Sequence, residues 1–233
     1  MSVKIGYLLP TRERIMDHEP STVRLIELAE KAETLGYDSL WVGDSLFARP
    51  RHEPMTLLAG VATRTQRVEL GTAVLLPALR NPVLLAHQAA TLDQLCEGRL
   101  ILGLGIAGDV PNIRAEFEAA GVPFEKRVGR LLEGVKLCRA LWSGEEVNWD
   151  GLWSVKGATL GPTPARPGGP LLGQGGTSRA QSNGPDDTLM VGFRPARMTQ
   201  ANGVHSFTKS RVSPKIADVT PMTSRVRCTS RSP

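Results

Sequence analysis

The chain has 233 residues, a formal net charge of +5 and 41% hydrophobic residues, which is enough to bury a sizeable core as one domain. Its N-terminal apolar run is only as long as a strand and contains Lys4, so we predict no signal peptide and no membrane span, and expect a cytoplasmic protein. The three cysteines form no C-x-x-C pair and the four histidines show no metal-ligand spacing, which predicts reduced thiols and no metal site.

The excess positive charge lies at the C-terminal end. Residues 174–233 contain nine lysines and arginines against three aspartates and no glutamate. This segment has one leucine and two phenylalanines, which is too little apolar material to build a core. Nucleic-acid surfaces normally place basic side chains on a folded element with interleaved aromatics. Nucleic-acid binding is therefore not favoured, and a basic binding module is kept only as an alternative class.

Strand and helix patterns alternate over the first part of the chain. Residues 3–9 predict a strand, and Ser21 is a cap for a helix with an apolar face that Gly36 ends. Residues 39–42 predict a second, short strand, and a further helix follows over residues 54–61.

The next unit has clearer boundaries. Residues 68–76 and 100–104 are continuously apolar, as expected for strands that are covered on both faces. Between them Asn81 is placed to cap a helix, Pro82 to occupy its first position, and Gly98 to end it. Four strands alternating with helices predict parallel strands with helical crossovers, and so an α/β fold.

A long helix is predicted from residue 124 to residue 142. Its apolar residues recur at helical spacing, and Gly144 is placed to stop it.

A glycine-rich motif opens a rival interpretation. Gly103, Gly105 and Gly108 satisfy G-x-G-x-x-G directly after a strand. A dinucleotide-binding Rossmann fold needs this motif to open a helix in the first βαβ unit, with an acidic residue about 20 positions further on. Here residues 109–111 (Asp-Val-Pro) interrupt the start of a helix, and two strand-helix units come first. An NAD(P)-binding Rossmann dehydrogenase remains an alternative.

Four segments together resemble the bacterial luciferase-like monooxygenase family, in the branch that uses coenzyme F420 or FMN. They are VKIGYLLP (3–10), GYDSLWVGDSLFARPRHEPMTLLAG (36–60), LGTAVLLPALRNPVLLAHQAATLDQLCEGRLILGLG (70–105) and PFEKRVGRLLEGVKLCRALWSGEEVNWDG (123–151). The resemblance covers about residues 3–178. It implies a (β/α)8 TIM barrel, of which residues 1–178 would supply strands 1–4 and a fifth strand within residues 168–178.

The implied activity is that of an oxidoreductase. Such an enzyme uses reduced flavin or deazaflavin for hydride transfer to, or monooxygenation of, a small organic substrate. Similarity to deazaflavin-type relatives favours F420. Relatives are often dimers, so a homodimer is the implied protein partner.

The family pattern ends after residue 178. Relatives continue with a helix and an Ala-Asp-Gly-Trp motif, where residues 181–192 read QSNGPDDTLMVG. Codons for those residues, read two bases out of phase, permit IERARRHADGW. We therefore predict a frameshift near Ala180 and a disordered, off-frame tail over residues 179–233, with a natural low-complexity basic tail as the alternative. A barrel without strands six to eight leaves exposed strand edges, so a catalytically inactive fragment is a second alternative.

The resemblance places the active site at the carboxyl ends of the barrel strands. It implies catalytic roles for Asp44 and Ser45 after the second strand, although many relatives have a histidine beside Ser45. Some deazaflavin-dependent relatives carry a proton-donating glutamate after the fourth strand, where this chain has Asp109. Loop or turn capping is the alternative role for Asp44 and Asp109.

The cofactor-binding residues are implied in the same way. A non-prolyl cis peptide bond under the ring is implied near Thr72 and Ala73, and a phosphate-binding loop is implied after the fifth strand, where a flexible junction is the alternative. The complete implied set is Thr72, Ala73, Gly105, Ile106, Ala107, Gly108, Gly175, Gly176 and Thr177.

Overall fold

The computed structural model describes residues 4–19, 21–174, 198–201 and 204–207. The strands are β1 (Gly6–Leu8), β2 (Ser39–Val42), β3 (Glu69–Leu75), β4 (Leu100–Leu104), β5 (Val147–Asp150), β6 (Ser154–Ala158), β7 (Leu171–Gln174), β8 (Met198–Ala201) and β9 (Val204–Phe207). The α-helices are α1 (Glu13–Met16), α2 (Thr22–Thr34), α3 (Pro54–Ala62), α4 (Pro82–Leu95), α5 (Pro111–Ala119) and α6 (Arg127–Trp142). Two 3₁₀ turns occupy Pro77–Leu79 and Phe124–Lys126. Among the helices described, none is both long and apolar enough to cross a membrane.

The main sheet has the strand order β7-β4-β3-β2-β1-β9-β8. Five strands of this sheet are parallel, namely β1, β2, β3, β4 and β7. Each of them pairs with the one before it in this series. This is the order of the first five strands of a (β/α) barrel, in which each strand lies beside the one before it. In a Rossmann sheet the fourth strand lies beside the first, whereas here β4 lies beside β3, so the Rossmann alternative is wrong.

The tail prediction falls mostly outside the described residues. Within residues 179–233 the structure describes only β8 and β9, which pair with each other in antiparallel fashion. These are regular elements in a segment for which the sequence predicted little order. β9 also pairs with β1, where Tyr7 lies opposite Ser206.

Several predicted boundaries are confirmed. β2 and β4 begin and end at the predicted residues, and the fifth strand is β7, within residues 168–178. The side-chain oxygen of Asn81 accepts a hydrogen bond from the backbone N–H of Val83 at 2.9 Å and caps α4. Glu97, with a φ of 53°, takes the left-handed position directly after the C-cap of α4, and Gly98 follows it with a φ of 77°.

Several elements were not predicted, among them α1, α5, β5 and β6. α5 begins at Pro111, where the Asp-Val-Pro sequence was interpreted as an interruption. Proline is favoured at the first position of a helix, so that residue marks the start of α5. The antiparallel pair β5 and β6 has no counterpart in the predicted elements. The long helix was predicted from residue 124. It starts at Arg127 as α6, because residues Phe124–Lys126 form a 3₁₀ turn.

The core lies between the sheet and the helices that cover its outer face. Apolar side chains from β2, β3 and β4 pack there against α2, α3, α4 and α6, and the fully buried strand residues are Leu40, Val42, Leu70, Leu75 and Leu100. Trp142 connects two of the helices, because its indole N–H donates to the Ala86 carbonyl oxygen of α4 at 2.9 Å.

Glu33 fixes the start of β3 at the opposite end of the strands from the predicted site. Its carboxylate accepts backbone N–H groups from Gln66, Arg67 and Val68, at distances between 2.7 and 3.1 Å. Partial burial works to raise the pKa of Glu33, but these donors outweigh it and hold the pKa below its usual value of 4.5.

We expect the stabilisation from Glu33 to depend on pH. A carboxyl with a lowered pKa in the folded state stabilises the fold above its unfolded pKa, and that contribution is lost as the pH falls through the folded value. Glu33→Gln should therefore lower the urea midpoint at pH 7 and have a smaller effect at pH 3. Equal effects at both pH values would contradict the assignment.

Candidate active site

The strands β1 to β4 end at one edge of the sheet, and the loops that follow them carry the predicted site residues. Asp44 lies after β2, and both of its oxygens are occupied. Oδ2 accepts from Arg80 at 2.5 Å and from the Leu76 backbone N–H at 2.9 Å, and Oδ1 accepts from Arg80 at 3.2 Å. The Asp44 side chain is only 3% exposed. This arrangement ties the end of β2 to the segment after β3.

Arg80 joins a third element to this pair. It also contacts Glu53 at 3.1 Å, and the Glu53 carboxylate caps α3 by accepting the Thr56 N–H at 2.7 Å. Burial works to lower the pKa of Arg80, but its hydrogen bonds to Asp44 and Glu53 raise it above its usual value. The guanidinium therefore stays charged and holds three segments of the rim together.

Ser45 is held by a carboxylate from α5. Its hydroxyl donates to Oε1 of Glu116 at 2.6 Å, and its oxygen accepts the Arg49 N–H at 2.9 Å. The same Oε1 accepts the N–H groups of Phe47 and Ala48 at 2.7 and 2.6 Å. Glu116 is 1% exposed, and its Oε2 has no hydrogen-bond partner among the described residues. One buried oxygen therefore holds residues 45–48 of the loop after β2.

We expect Glu116→Ala to lower the free energy of unfolding by about 1–3 kcal/mol, because it removes the acceptor of three buried or half-buried donors. Amide hydrogen exchange at Phe47 and Ala48 should accelerate in this variant. Glu116→Gln keeps an acceptor of the same shape and should preserve the slow exchange. Unchanged exchange in Glu116→Ala would contradict this role.

The end of β3 approaches β4 very closely. The implied cis peptide bond is present between Ala73 and Val74, where the β3–β4 register also shifts. Thr72 is fully buried and donates its hydroxyl to the Gly103 carbonyl oxygen at 2.9 Å. A Cβ on Gly103 would overlap the Thr72 carbonyl oxygen, and one on Gly105 would overlap the Val74 side chain. Glycine is required at 103 and 105 because of these contacts within the sheet.

The four implied cofactor residues after β4 have different surroundings. Gly105 is buried, and its N–H donates to the Leu75 carbonyl oxygen at 2.8 Å. Ile106 is exposed at the rim. Ala107 adopts a φ of 70° and packs on a small apolar cluster around Phe117. Gly108 is exposed, with open space around it. Ile106 and the backbone around it therefore form the accessible part of this set.

Asp109 lies in an exposed ion pair. Its two oxygens accept from Arg114 at 2.7 and 2.9 Å, and α5 has no side-chain cap. The hydrogen bonds from Arg114 hold the pKa of Asp109 below its usual value. The carboxyl is therefore ionised at neutral pH, which does not favour a proton-donating role.

Two further predictions concern the phosphate-binding loop and the metal ligands. Gly175, Gly176 and Thr177 lie outside the described residues. Within the described part of the chain, no group of three or more His, Cys, Asp and Glu side chains could hold a metal ion.

The structure adds Arg80 and Glu116, which the sequence analysis did not single out. Arg80 lies 36 residues from Asp44, and Glu116 lies 71 residues from Ser45. Glu116 also belongs to α5, which was not predicted. Recognising Pro111 as a helix start would have placed an acidic residue on a helix beside the rim, but not its partners.

Comparison with known proteins covers the same region. The model of the luciferase-like monooxygenase family matches residues 3–183. An F420-dependent glucose-6-phosphate dehydrogenase of Amycolatopsis mediterranei (strain U-32) is 39% identical over 163 residues, and the match covers 64% of this chain and 48% of the relative. The chain thus spans about half the length of the curated relatives it matches.

Solved structures agree on the fold. The monooxygenase RslO1 from Streptomyces bottropensis superimposes with a TM-score of 0.65 at 31% identity, covering 72% of this chain and 52% of that one. An F420-dependent secondary alcohol dehydrogenase, in complex with an F420-acetone adduct, gives a TM-score of 0.59 at 27% identity and covers 75% and 52%. Since the family model spans most of the chain and the parallel strands follow one another in barrel order, the chain belongs to the luciferase-like monooxygenase family.

Proposed function

We propose that the chain is an oxidoreductase that binds reduced coenzyme F420 or FMN at the carboxyl ends of β1 to β4 and acts on a small organic substrate. The observation that carries the proposal is the surface formed by Ala73, Val74 and Ile106 at two neighbouring strand ends. It combines the partly buried side chains of Ala73 and Val74 with the exposed side chain of Ile106, all of them apolar. Such a surface fits one face of a flat, largely apolar ring system, which cofactor sites usually bind through apolar contacts.

When bound, a flavin or deazaflavin supplies two-electron transfer. The named F420-dependent relatives favour F420 as the first cofactor to test. The protein supplies a fixed rim, because the Asp44–Arg80 pair and Glu116 hold the loops after β2 and β3. The Ser45 hydroxyl proton is committed to Glu116, so a remaining lone pair of Ser45 is the group that can accept a hydrogen bond from a ligand.

The proposal is tested by titrating the purified chain with F420 and with FMN and following cofactor fluorescence. We expect saturable binding of at least one of them. Ile106→Glu places a charge on the apolar surface and should weaken that binding about tenfold, which corresponds to about 1.4 kcal/mol. Leu132→Glu makes the same change at an exposed position on α6 and should leave binding unchanged.

Absence of saturable binding by the folded wild-type chain would refute the proposal and favour the alternative of an inactive fragment. Equal weakening by the two glutamate substitutions would show that the surface around Ile106 is not the binding surface.

We also propose that the chain forms a homodimer. Leu84 on α4 is 63% exposed and lines a groove of about 400 Å³ together with Leu46 and Leu79. Exposed apolar groups of this kind often mark protein interfaces. Static light scattering should give twice the mass of one chain, and Leu84→Glu should shift the species to the monomer.

A further inference from the structure

Arg12 and Arg51 lie in the segments that follow β1 and β2, and the proposed function gives them no role. Arg51 donates to the hydroxyl of Thr11, a fully buried residue, at 3.3 Å. Its guanidinium also lies against the end of β2, since a Cβ on Gly43 would be 2.9 Å from the guanidinium carbon. Arg51 is therefore packed against the backbone at the rim.

The positive charge at this position is not neutralised by an ion pair. In the part of the chain that the structure describes, no carboxylate lies within 4.0 Å of a charged nitrogen of Arg51 or Arg12. The Nε of Arg12 is buried and has no hydrogen-bond partner among the same residues. The negative charge of Asp44 works to raise the pKa of Arg51. The Asp44 carboxylate, however, already accepts hydrogen bonds from Arg80 and from the Leu76 N–H.

The electrostatics of Arg51 agree with this description. Burial lowers the pKa of Arg51, and the neighbouring charges of Arg12 and Arg49 lower it further, against the opposing effect of Glu13 and Asp44. Partly buried guanidinium groups are normally matched by an anion, because desolvation without a partner is costly. Arginine provides five N–H donors in a planar fork that matches carboxylate and phosphate oxygens.

We infer that Arg51 and Arg12 form an anion subsite that takes a carboxylate or phosphate group of the substrate. The identification of the bound anion as part of the substrate rests on the proposed function, because it assumes that the reaction occurs at this edge of the sheet. The subsite itself is defined by the described residues alone. The substrate class is therefore a small organic molecule with an anionic substituent.

The sheet order separates this subsite from the predicted cofactor phosphate loop. The sequence predicts that loop at Gly175 to Thr177, directly after β7 in the chain, and β7 lies at the far side of the parallel strands from β1. Four strand spacings of about 4.8 Å place the two strands roughly 19 Å apart along the sheet. One phosphate group cannot reach both ends, so the arginines are assigned to the substrate.

The test uses the full chain and inorganic phosphate, without any cofactor. Calorimetric titration at constant ionic strength should show saturable phosphate binding to the wild type. Arg51→Gln should weaken it about tenfold, or about 1.4 kcal/mol, and Arg12→Gln provides a second variant if the first does not fold. Arg64→Gln is the matched control, because Arg64 is exposed and pairs with Glu30 at the end of α3, and it should leave binding unchanged.

Absence of saturable phosphate binding to the wild type, or equal binding by wild type and both subsite variants, would overturn the subsite. A second arm compares FMN with riboflavin, which lacks the phosphate. If Arg51→Gln removes a preference for FMN, the anion belongs to the cofactor and the assignment to the substrate is wrong. If neither flavin nor F420 binds while phosphate still depends on Arg51, the proposed function fails but the subsite stands.

Discussion

Replacing Trp142 by alanine is expected to lower the free energy of unfolding by about 3–5 kcal/mol, the range for removing a large aromatic side chain from a packed interior. Trp142 is 3% exposed. Its N–H donates to the Ala86 carbonyl oxygen of α4, so the substitution also leaves a buried acceptor without its partner.

The ring of Trp142 also determines how the chain returns to β7. Gly169 has a φ of 99°, and a Cβ at this position would overlap the indole ring. The segment before β7 therefore packs directly on Trp142. Its removal leaves a cavity between α6, α4 and this segment, and the cost depends on how far these elements can close it.

Urea unfolding followed by far-UV circular dichroism measures the effect. Leu132→Ala is the matched control, since Leu132 lies on the same helix and is 55% exposed, and its substitution should change the free energy by less than about 0.5 kcal/mol. If the two variants lose similar stability, then Trp142 does not connect the helices as described.

The sequence predicted the strands well where their apolar runs were uninterrupted. β4 is continuously apolar and β2 is apolar after Ser39, so their limits were visible without any tertiary information. The caps at Ser21 and Asn81 are local as well, because each side chain binds an N–H within three residues. α5 was not predicted, because a proline at a helix start and a proline that interrupts a helix have the same local sequence.

The candidate site was harder to predict because its groups are occupied by distant residues. Asp44 and Asp109 are both carboxylates that follow a barrel strand, and nothing near them in the sequence distinguishes their surroundings. Asp44 is buried with Arg80, while Asp109 is exposed with Arg114. The donor role of Ser45 likewise depends on Glu116, 71 residues away. Position at a strand end is thus predictable from sequence, but the partner that decides the role is not.

The difference between these two carboxylates gives a second large expected effect. Asp44→Ala should lower the free energy of unfolding by about 3–5 kcal/mol, as expected when one partner of a buried ion pair is removed and the other is left behind. The Arg80 side chain is only 18% exposed and keeps its contacts with Glu53 and with the Leu76 carbonyl oxygen, and the Leu76 N–H loses its acceptor. Asp109→Ala removes a carboxylate with the same number of arginine hydrogen bonds, but it should have little effect on unfolding because that pair is in solvent.

A catalytic role for Asp44 would give the opposite pattern. If Asp44 acted on the reacting atoms, Asp44→Ala would abolish turnover and leave the unfolding midpoint close to that of the wild type, because a group that faces a ligand is not needed to hold the rim. We expect the unfolding midpoint of Asp44→Ala to fall instead. The midpoint of Asp44→Asn should lie between those of Asp44→Ala and the wild type, since the amide oxygen still accepts the Leu76 N–H while the charge is lost. Urea unfolding of the three variants, with cofactor titration of those that remain folded, separates the alternatives. Equal stability of Asp44→Ala and Asp109→Ala would show that Asp44 does not hold the loops after β2 and β3 together.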